Sequence, residues 1–405
     1  MARLAVLSYH TSPLAQPGTG DGGGMNVYVR ELSSALARLG HDVDVFTRRD
    51  NPHVRDSVLV EPGFRLHHVT AGPSAPLDRD DFATYVGDFA DAVGAFFRCA
   101  GRPDAIHANY WLSGLAGHRL KHELDVPLVV TFHTLERVKA DHFEPESEER
   151  GHQEASIIAC ADAVLASCEV EAEQFVRYYD ASPSRVHIVP LGVQHAFFAP
   201  GHRPQARRAL GLHRDTSLLL YVGRLQALKG VDLALETLIE SRRRGRDAAL
   251  AIVGGPSGSD GRATLAYLHQ RVADAGVIDH VTFVAPQSHQ LLSSWMRAAD
   301  VTLVPSRSES FGLVALESSA CGTPVIASAV GGLTNLVEPG VNGLLVRDRS
   351  PVAWADAVDH VLDADRALAL ASGAVQLARR YTWRAAADEL TALTTSLAAS
   401  GLVHC

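Results

Sequence analysis

VPSRSESFGLVALE, residues 304–317, decides how this chain is read. The apolar run that leads into it, 300–304, has the length and composition of a buried strand that stops at a Pro-Ser turn. Beyond Gly312 the apolar positions recur with helical period, so the segment reads strand, turn, helix. That order puts Glu309 at the carboxyl end of a strand and Glu317 one to two turns into a helix. The amides of Ser310, Phe311 and Gly312 then open the helix N-terminus, where partial positive charge and unpaired N–H groups suit a phosphate. Two carboxylates in fixed places suit sugar and ribose hydroxyls, which need acceptors. The plainer reading, a surface Glu beside a helical charge pair, explains neither the Phe-Gly turn nor the strand before it.

Working outward, short apolar runs alternate with helical patterns from end to end, the signature of doubly wound α/β layers. Strands are expected at 4–8, 42–47, 65–69, 105–107, 128–132, 163–167 and 186–189, then at 218–222, 249–253, 281–284, 301–304 and 325–327. Helical stretches such as 25–39 and 232–243 lie between them. The pattern breaks in PLGVQHAFFAPGHRP (190–204), which has proline, glycine and no clear period. A boundary near Ala199 gives an N-terminal domain 1–199 and a C-terminal domain 200–405, with the helices after about 351 forming a cap. Ligands of such sheets bind beyond the carboxyl ends of the strands.

Composition narrows the partners. The chain has 405 residues, 46% hydrophobic and 20% charged, enough for two cores, and its net charge of −9 argues against nucleic acid or an anionic membrane. Five cysteines (Cys99, Cys160, Cys168, Cys321, Cys405) are odd in number and show no CxxC spacing, which favours free thiols in a reducing cytoplasm over a disulfide or zinc framework. The apolar run LAVL in MARLAVLSYHTSP is too short for a signal-peptide core, and no run approaches the ~20 apolar residues of a spanning helix. A cytoplasmic protein is expected.

The first strand leads into YHTSPLAQPGTGDGGGMNVYV (9–29), a long Gly-rich loop that ends at an amphipathic helix. Gly22, Gly23 and Gly24 allow close backbone approach to a ligand, with the helix amides aimed the same way. No GK[ST] follows, so this is not a Walker loop. The string resembles the corresponding loop of the D-inositol 3-phosphate glycosyltransferases of mycothiol biosynthesis. The Glu-x7-Glu segment with its Phe-Gly-Leu interior resembles the signature of glycosyltransferase family 4. HANYWLSG (107–114) is similar to that group's HSHYWLSG, departing at Ala108 and Asn109. TFHTLERVK (131–139), PESEER (145–150), YVGRLQALKG (221–230), VGGPSG (253–258) and CGTPVIASAVGG (321–332) have close counterparts too. Sucrose synthases and sucrose-phosphate synthases share the plan but less of the loop. The resemblance implies a GT-B fold, two Rossmann-like domains facing a central crevice, with the last helix returning to the first domain.

Arg224 and Lys229 follow the strand LLLYVG, on the loop where a pyrophosphate would lie. Sugar transfer from a nucleotide diphosphate needs the growing charge on the leaving phosphate neutralised. Asp-x-Asp enzymes use a metal for this. DVD (42–44) opens an early strand instead and reads as a solvated strand start. Arg224 and Lys229, with the Gly24 amide and helix dipoles, can replace the metal, so neither a metal nor another cofactor is expected. The resemblance places His133 over the donor sugar as a catalytic group beside Arg224, Lys229 and Glu309. It assigns the donor to Gly24, Ser310, Phe311, Gly312 and Glu317 as well. His107 reads as structural, and the other eighteen histidines are given no role. The acceptor site carries over onto Asn26, Arg79, Tyr110, Thr134 and Arg150, with the arginines on a phosphate through charge-assisted hydrogen bonds. The plainer reading pairs Arg150 with Glu146. Arg79 stands where the group has Lys, and Arg307, Thr334 and Asn335 depart on the donor side.

The resemblance implies a retaining hexosyltransferase that moves N-acetylglucosamine from its UDP form to D-inositol 3-phosphate by a front-face route. Small-molecule substrates are the expected partners, with a homodimer left open. Three alternatives stay open: a transferase of antibiotic biosynthesis acting on another cyclitol, an aminocyclitol or a thiol-bearing small molecule, a sucrose-phosphate-type transferase, and a non-catalytic nucleotide-sugar binder.

Overall fold

The computed structural model describes every residue except 19–21, 141–146, 214 and 259–260, and the side chain of Arg79. Its strands run, in chain order, β1 (Arg3–Leu7), β2 (Asp42–Arg48), β3 (Ser57–Glu61), β4 (Phe64–Val69), β5 (Ala105–Asn109), β6 (Leu128–Thr131), β7 (Ala163–Ala166) and β8 (Val186–Ile188). β9 (Ser217–Val222), β10 (Ala248–Val253), β11 (Val281–Val284), β12 (Val301–Val304), β13 (Val325–Ser328) and β14 (Gly343–Val346) follow. Parallel strands covered by helices on both faces must be apolar throughout, and LLLY of β9 and VTLV of β12 are buried along their whole length.

Two compact units result. The first contains Met1–Ala15, Gly24–Pro190 and Trp383–Cys405, and the second Gln16–Gly23 and Leu191–Thr382. The division falls ahead of Ala199 because Val193 already pairs with Thr382 inside the second unit. The first unit carries the sheet β3-β4-β2-β1-β5-β6-β7-β8, parallel apart from the β3–β4 hairpin. The second carries β11-β10-β9-β12-β13-β14, parallel throughout. Helix Trp383–Ala398 packs on helix Gly24–Arg38 within the first unit, with the Trp383 and Tyr28 rings 5.9 Å apart. Among the described residues no helix is long and apolar enough to cross a membrane.

Three expectations are corrected. β3 and β14 were not expected: β3 is a half-exposed antiparallel edge, and β14 is a short run behind a turn. The cysteines are not all free. Cys160 and Cys405 form a disulfide, 245 residues apart in sequence, while Cys99, Cys168 and Cys321 are free thiols. Distant cysteines leave no spacing signal, and only the return of the C-terminal segment to the first unit brings these two together. Nor is DVD solvated throughout. Asp42 is exposed, but Asp44 is buried, receiving Arg3 at 2.9 Å and His67 at 2.8 Å. Burial works to raise the Asp44 pKa, yet hydrogen bonds from His67 and Arg3 carry it below its ordinary value.

Candidate active site

In the second unit the strand order reverses direction between β9 and β12, and ligands of such sheets bind beyond the strand ends at that switch point. The register Leu219↔Val301 to Tyr221↔Leu303 brings the ends of both strands side by side. β9 runs out at Gly223 and Arg224, β12 at Pro305 and Ser306. A 3-10 turn, Ala227–Lys229, presents Lys229 and closes on Gly230 at φ 68°. A Cβ on Gly230 would stand 2.1 Å from the Pro305 carbonyl oxygen, so the two loops touch backbone to backbone. Across that contact Lys229 Nζ donates to Glu309 Oε2 at 2.7 Å, and Ser306 Oγ donates to the same oxygen at 3.4 Å.

Glu309 is held from behind as well. Its carbonyl accepts from the Gly332 amide at 2.9 Å, and a Cβ on Gly331 would stand only 1.9 Å from the same oxygen. Gly312 caps helix Leu313–Ala320, with Phe311 and Glu317 buried on either side of that start. The Arg224 carbonyl accepts from the Tyr221 hydroxyl at 2.9 Å, and its Nε lies 3.9 Å from where a Cβ on Gly23 would stand. Arg349, which sequence reasoning missed, follows β14 and donates to the Pro305 carbonyl at 2.9 Å. Burial lowers its pKa, with Arg307 adding to the effect. No signal pointed to it, because the strand it follows was itself not expected.

In the first unit the corresponding switch point lies between β1 and β5. β1 leads to His10 and β5 to Tyr110, whose rings lie 4.6 Å apart. Tyr110 has φ 76° and ψ 157°, a conformation that favours glycine, held by its amide on the Thr131 carbonyl at 2.8 Å. His133, beyond the end of β6, also has positive φ, at 62°. Tyr110 and His133 thus place two positive-φ non-glycine residues at adjacent strand ends. His133 Nε2 bonds Asn109 Oδ1 at 3.0 Å and its ring meets Tyr28 edge-on at 4.9 Å. Burial pushes its pKa down to about 3, with His107 and His10 adding to the shift, so the imidazole is neutral. His107 is buried with Nε2 on Thr131 Oγ1 at 2.9 Å, as a structural histidine should be.

Asn26 is buried and donates to Thr11 Oγ1 (2.8 Å) and the Ser12 carbonyl (2.7 Å), tying the Gly-rich loop to the helix that starts at Gly24. Tyr110, Thr134 and Arg150 do come together. The Arg150 guanidinium lies 5.0 Å from the Tyr110 ring centre and donates to the Thr134 carbonyl (3.2 Å) and hydroxyl (3.3 Å). Among the described residues it also meets Glu154 at 2.8 Å and Glu136 at 3.3 Å, all three side chains buried. The partner expected from sequence, Glu146, lies outside the described residues. Arg150 is thus clamped by two carboxylates that sequence reasoning missed, although Glu154 stands at the i+4 spacing that could have shown it. Burial alone would lower the Arg150 pKa, but nearby Tyr110, Glu154 and Glu136 raise it. Arg79 opens the 3-10 helix Arg79–Tyr85.

Two Rossmann-like domains with functional groups at their switch points define a GT-B glycosyltransferase. Residues 23–192 match the family described as "Glycosyl transferase 4-like domain", and residues 202–374 match "Glycosyl transferases group 1". The D-inositol 3-phosphate glycosyltransferase of Thermobispora bispora is 44% identical over 97% of this chain and 94% of its own. That of Xylanimonas cellulosilytica is 46% identical over 95% and 94%. The solved structure of sucrose-phosphate synthase from Thermosynechococcus elongatus superposes with a TM-score of 0.91 at 35% identity, covering 99% of this chain and all of that one. The chain belongs to the D-inositol 3-phosphate glycosyltransferase family, within glycosyltransferase family 4, and is a glycosyltransferase.

Proposed function

We propose that this enzyme transfers N-acetylglucosamine, with retention, from UDP-N-acetylglucosamine to D-inositol 3-phosphate. The observation that carries this reading is the Lys229–Glu309 pair at the β9/β12 switch point, beside the N-terminus of helix Leu313–Ala320. The second unit takes the donor: Arg224 and Lys229 meet the diphosphate, and Glu309 and Glu317 accept from sugar and ribose hydroxyls. The first unit takes the acceptor on Asn26, Arg79, Tyr110, Thr134 and Arg150. In the transfer the bond from the sugar's anomeric carbon to the β-phosphate oxygen breaks. A bond to an inositol hydroxyl oxygen forms on the same face, and the hydroxyl proton passes to the leaving phosphate. Lys229 and Arg224 stabilise the negative charge growing there. Neutral His133 serves as a hydrogen-bonding neighbour of the donor sugar, and catalysis rests on positioning and electrostatics, with no metal required.

A panel of UDP-sugars against phosphorylated and free inositol tests this. UDP-N-acetylglucosamine with inositol 3-phosphate should be the best pair, with an anomeric product of unchanged configuration. Free inositol should be poorer by on the order of 10²-fold or more in kcat/KM, the effect of losing two charge-assisted hydrogen bonds. Equal use of the two acceptors would refute the inositol-phosphate assignment. One observation favours a second reading, an aminocyclitol acceptor: Asn109, not a histidine, holds His133. An aminocyclitol outcompeting inositol phosphate in the same panel would establish it.

A further inference from the structure

His118 and His122 stand four residues apart on helix Trp111–Leu124 and therefore share a face, two turns and more beyond Tyr110 at the helix start. Cys160 closes helix Glu148–Cys160, and Cys405 reaches the same place from the segment after helix Trp383–Ala398. Cys405 Sγ lies 3.5 Å from His118 Nε2 and 3.3 Å from His122 Nε2, and Cys160 Sγ lies 3.4 Å from His122 Nε2. All four atoms fall within 4.8 Å of one another. A tetrahedral ion with metal–sulfur bonds of about 2.3 Å and metal–nitrogen bonds of about 2.0–2.1 Å spaces its donors roughly 3.3–3.8 Å apart. The three nitrogen–sulfur separations lie at that spacing.

The surroundings fix these donors. Asp162 accepts from the Val403 amide at 2.7 Å, from the Leu128 amide at 2.7 Å and from buried Lys121 at 3.0 Å, while Lys121 also donates to the Cys160 carbonyl at 2.7 Å. One carboxylate thereby aligns the C-terminal segment, the β6 start and the His118/His122 helix. A disulfide needs two sulfurs and gains nothing from imidazoles aimed at them. Two thiolates and two imidazoles, however, are a complete donor set for a zinc-class ion.

We propose that, once the Cys160–Cys405 bond is reduced, His118, His122, Cys160 and Cys405 bind one zinc-class divalent ion, so that the C-terminal segment is fastened by a disulfide in one redox state and by a metal in the other. Reduction by a phosphine consumes one water. The disulfide takes up two electrons and two protons to give two thiols, and the phosphine leaves as its oxide. The entering ion then displaces both thiol protons.

The test uses the full chain reduced with a phosphine, freed of reductant without air, and titrated with cobalt(II) and then zinc(II). One equivalent of cobalt should give visible bands of a tetrahedral site and thiolate-to-metal charge transfer, both erased by zinc, and zinc should raise the Tm of the reduced protein. Cys405→Ser and His122→Ala should each weaken binding by at least about tenfold, whereas Cys99→Ser, at an exposed free thiol, should not. Cys405→Ser removes only an exposed side chain, so folding is not at stake in that arm. Thiol-verified reduced protein that binds no cobalt, or binds it equally well as Cys405→Ser and His122→Ala, overturns the proposal and leaves a disulfide only.

Discussion

Removing the Arg150 side chain perturbs the protein most informatively, because the structure changes what that variant reports. Its guanidinium meets Glu154 at 2.8 Å, Glu136 at 3.3 Å and Thr134 at 3.2 Å, all in a buried setting. Glu154 also accepts from the Glu136 amide at 2.9 Å and from the Tyr179 hydroxyl, and Glu136 accepts from the Ser147 amide at 3.0 Å. Arg150→Ala leaves two buried carboxylates without their shared cation, and breaking such a cluster costs about 3–5 kcal/mol. For a domain of roughly 150–250 residues each kcal/mol moves Tm by about 2–4 °C, so a fall of roughly 6–20 °C is expected. Thermal melts of wild type, Arg150→Ala and Arg150→Ala/Glu154→Gln decide it, the double variant recovering part of the loss because one stranded charge is gone. A Tm within about 2 °C of wild type in the single variant would refute the clamp. An acceptor role of Arg150 is then read only below the melting range of the variant, as a rise in KM for inositol phosphate that Arg150→Lys partly restores.

Lys229→Ala should lower kcat by about 10²–10³-fold through loss of charge stabilisation at the leaving phosphate. The partly buried pair with Glu309 keeps some contact with solvent and contributes about 1 kcal/mol to folding, so Tm should move by only a few degrees. With the Cys160–Cys405 bond intact, turnover in excess EDTA should equal turnover with magnesium, and a tenfold loss would mean a catalytic metal. His107 and His133 bear on acid stability: burial lowers their pKa values from 6.5 to about 4 and about 3. Below the ordinary value the unfolded chain takes up protons that the folded one refuses. The stabilising contribution of each is therefore present above pH 6.5 and is lost as pH falls, by about 1.4 kcal/mol per pH unit. Urea melts between about pH 6 and 4.5 should show that slope halved in His133→Gln relative to wild type, if these two residues dominate.

The continuous apolar runs of β9 and β12 and the turn after each were legible because a parallel strand buried on both faces writes its burial directly into sequence. β3 was not, because SVLVE is partly exposed along its length and its apolar residues do not mark a face. At the site, Lys229 and Glu309 were legible from their loops, but their 2.7 Å pairing depends on the contact between Gly230 and Pro305, which no local pattern encodes. Arg150 was singled out beside Tyr110 and Thr134, but its bonds to Glu136 and Glu154 were not foreseen. Glu136 reaches it only through the fold, as Asn109 reaches His133 from the next strand. Cys160 and Cys405 show the same limit at its widest, since nothing local links residues so far apart.

The helix Trp383–Ala398 completes the first unit from the far end of the chain, and this sets an order on synthesis. A ribosome delivers residues 24–190 early, yet the face of helix Gly24–Arg38 that Trp383 and its helix cover stays bare until residues 383–398 emerge. By then the whole of 191–382 has been made and can settle. The middle of the polypeptide is therefore ready to close before its beginning, the reverse of the usual N-to-C progression of domains. Nascent chains halted before Trp383 carry an open apolar stripe, which makes them natural clients for chaperones and proteases.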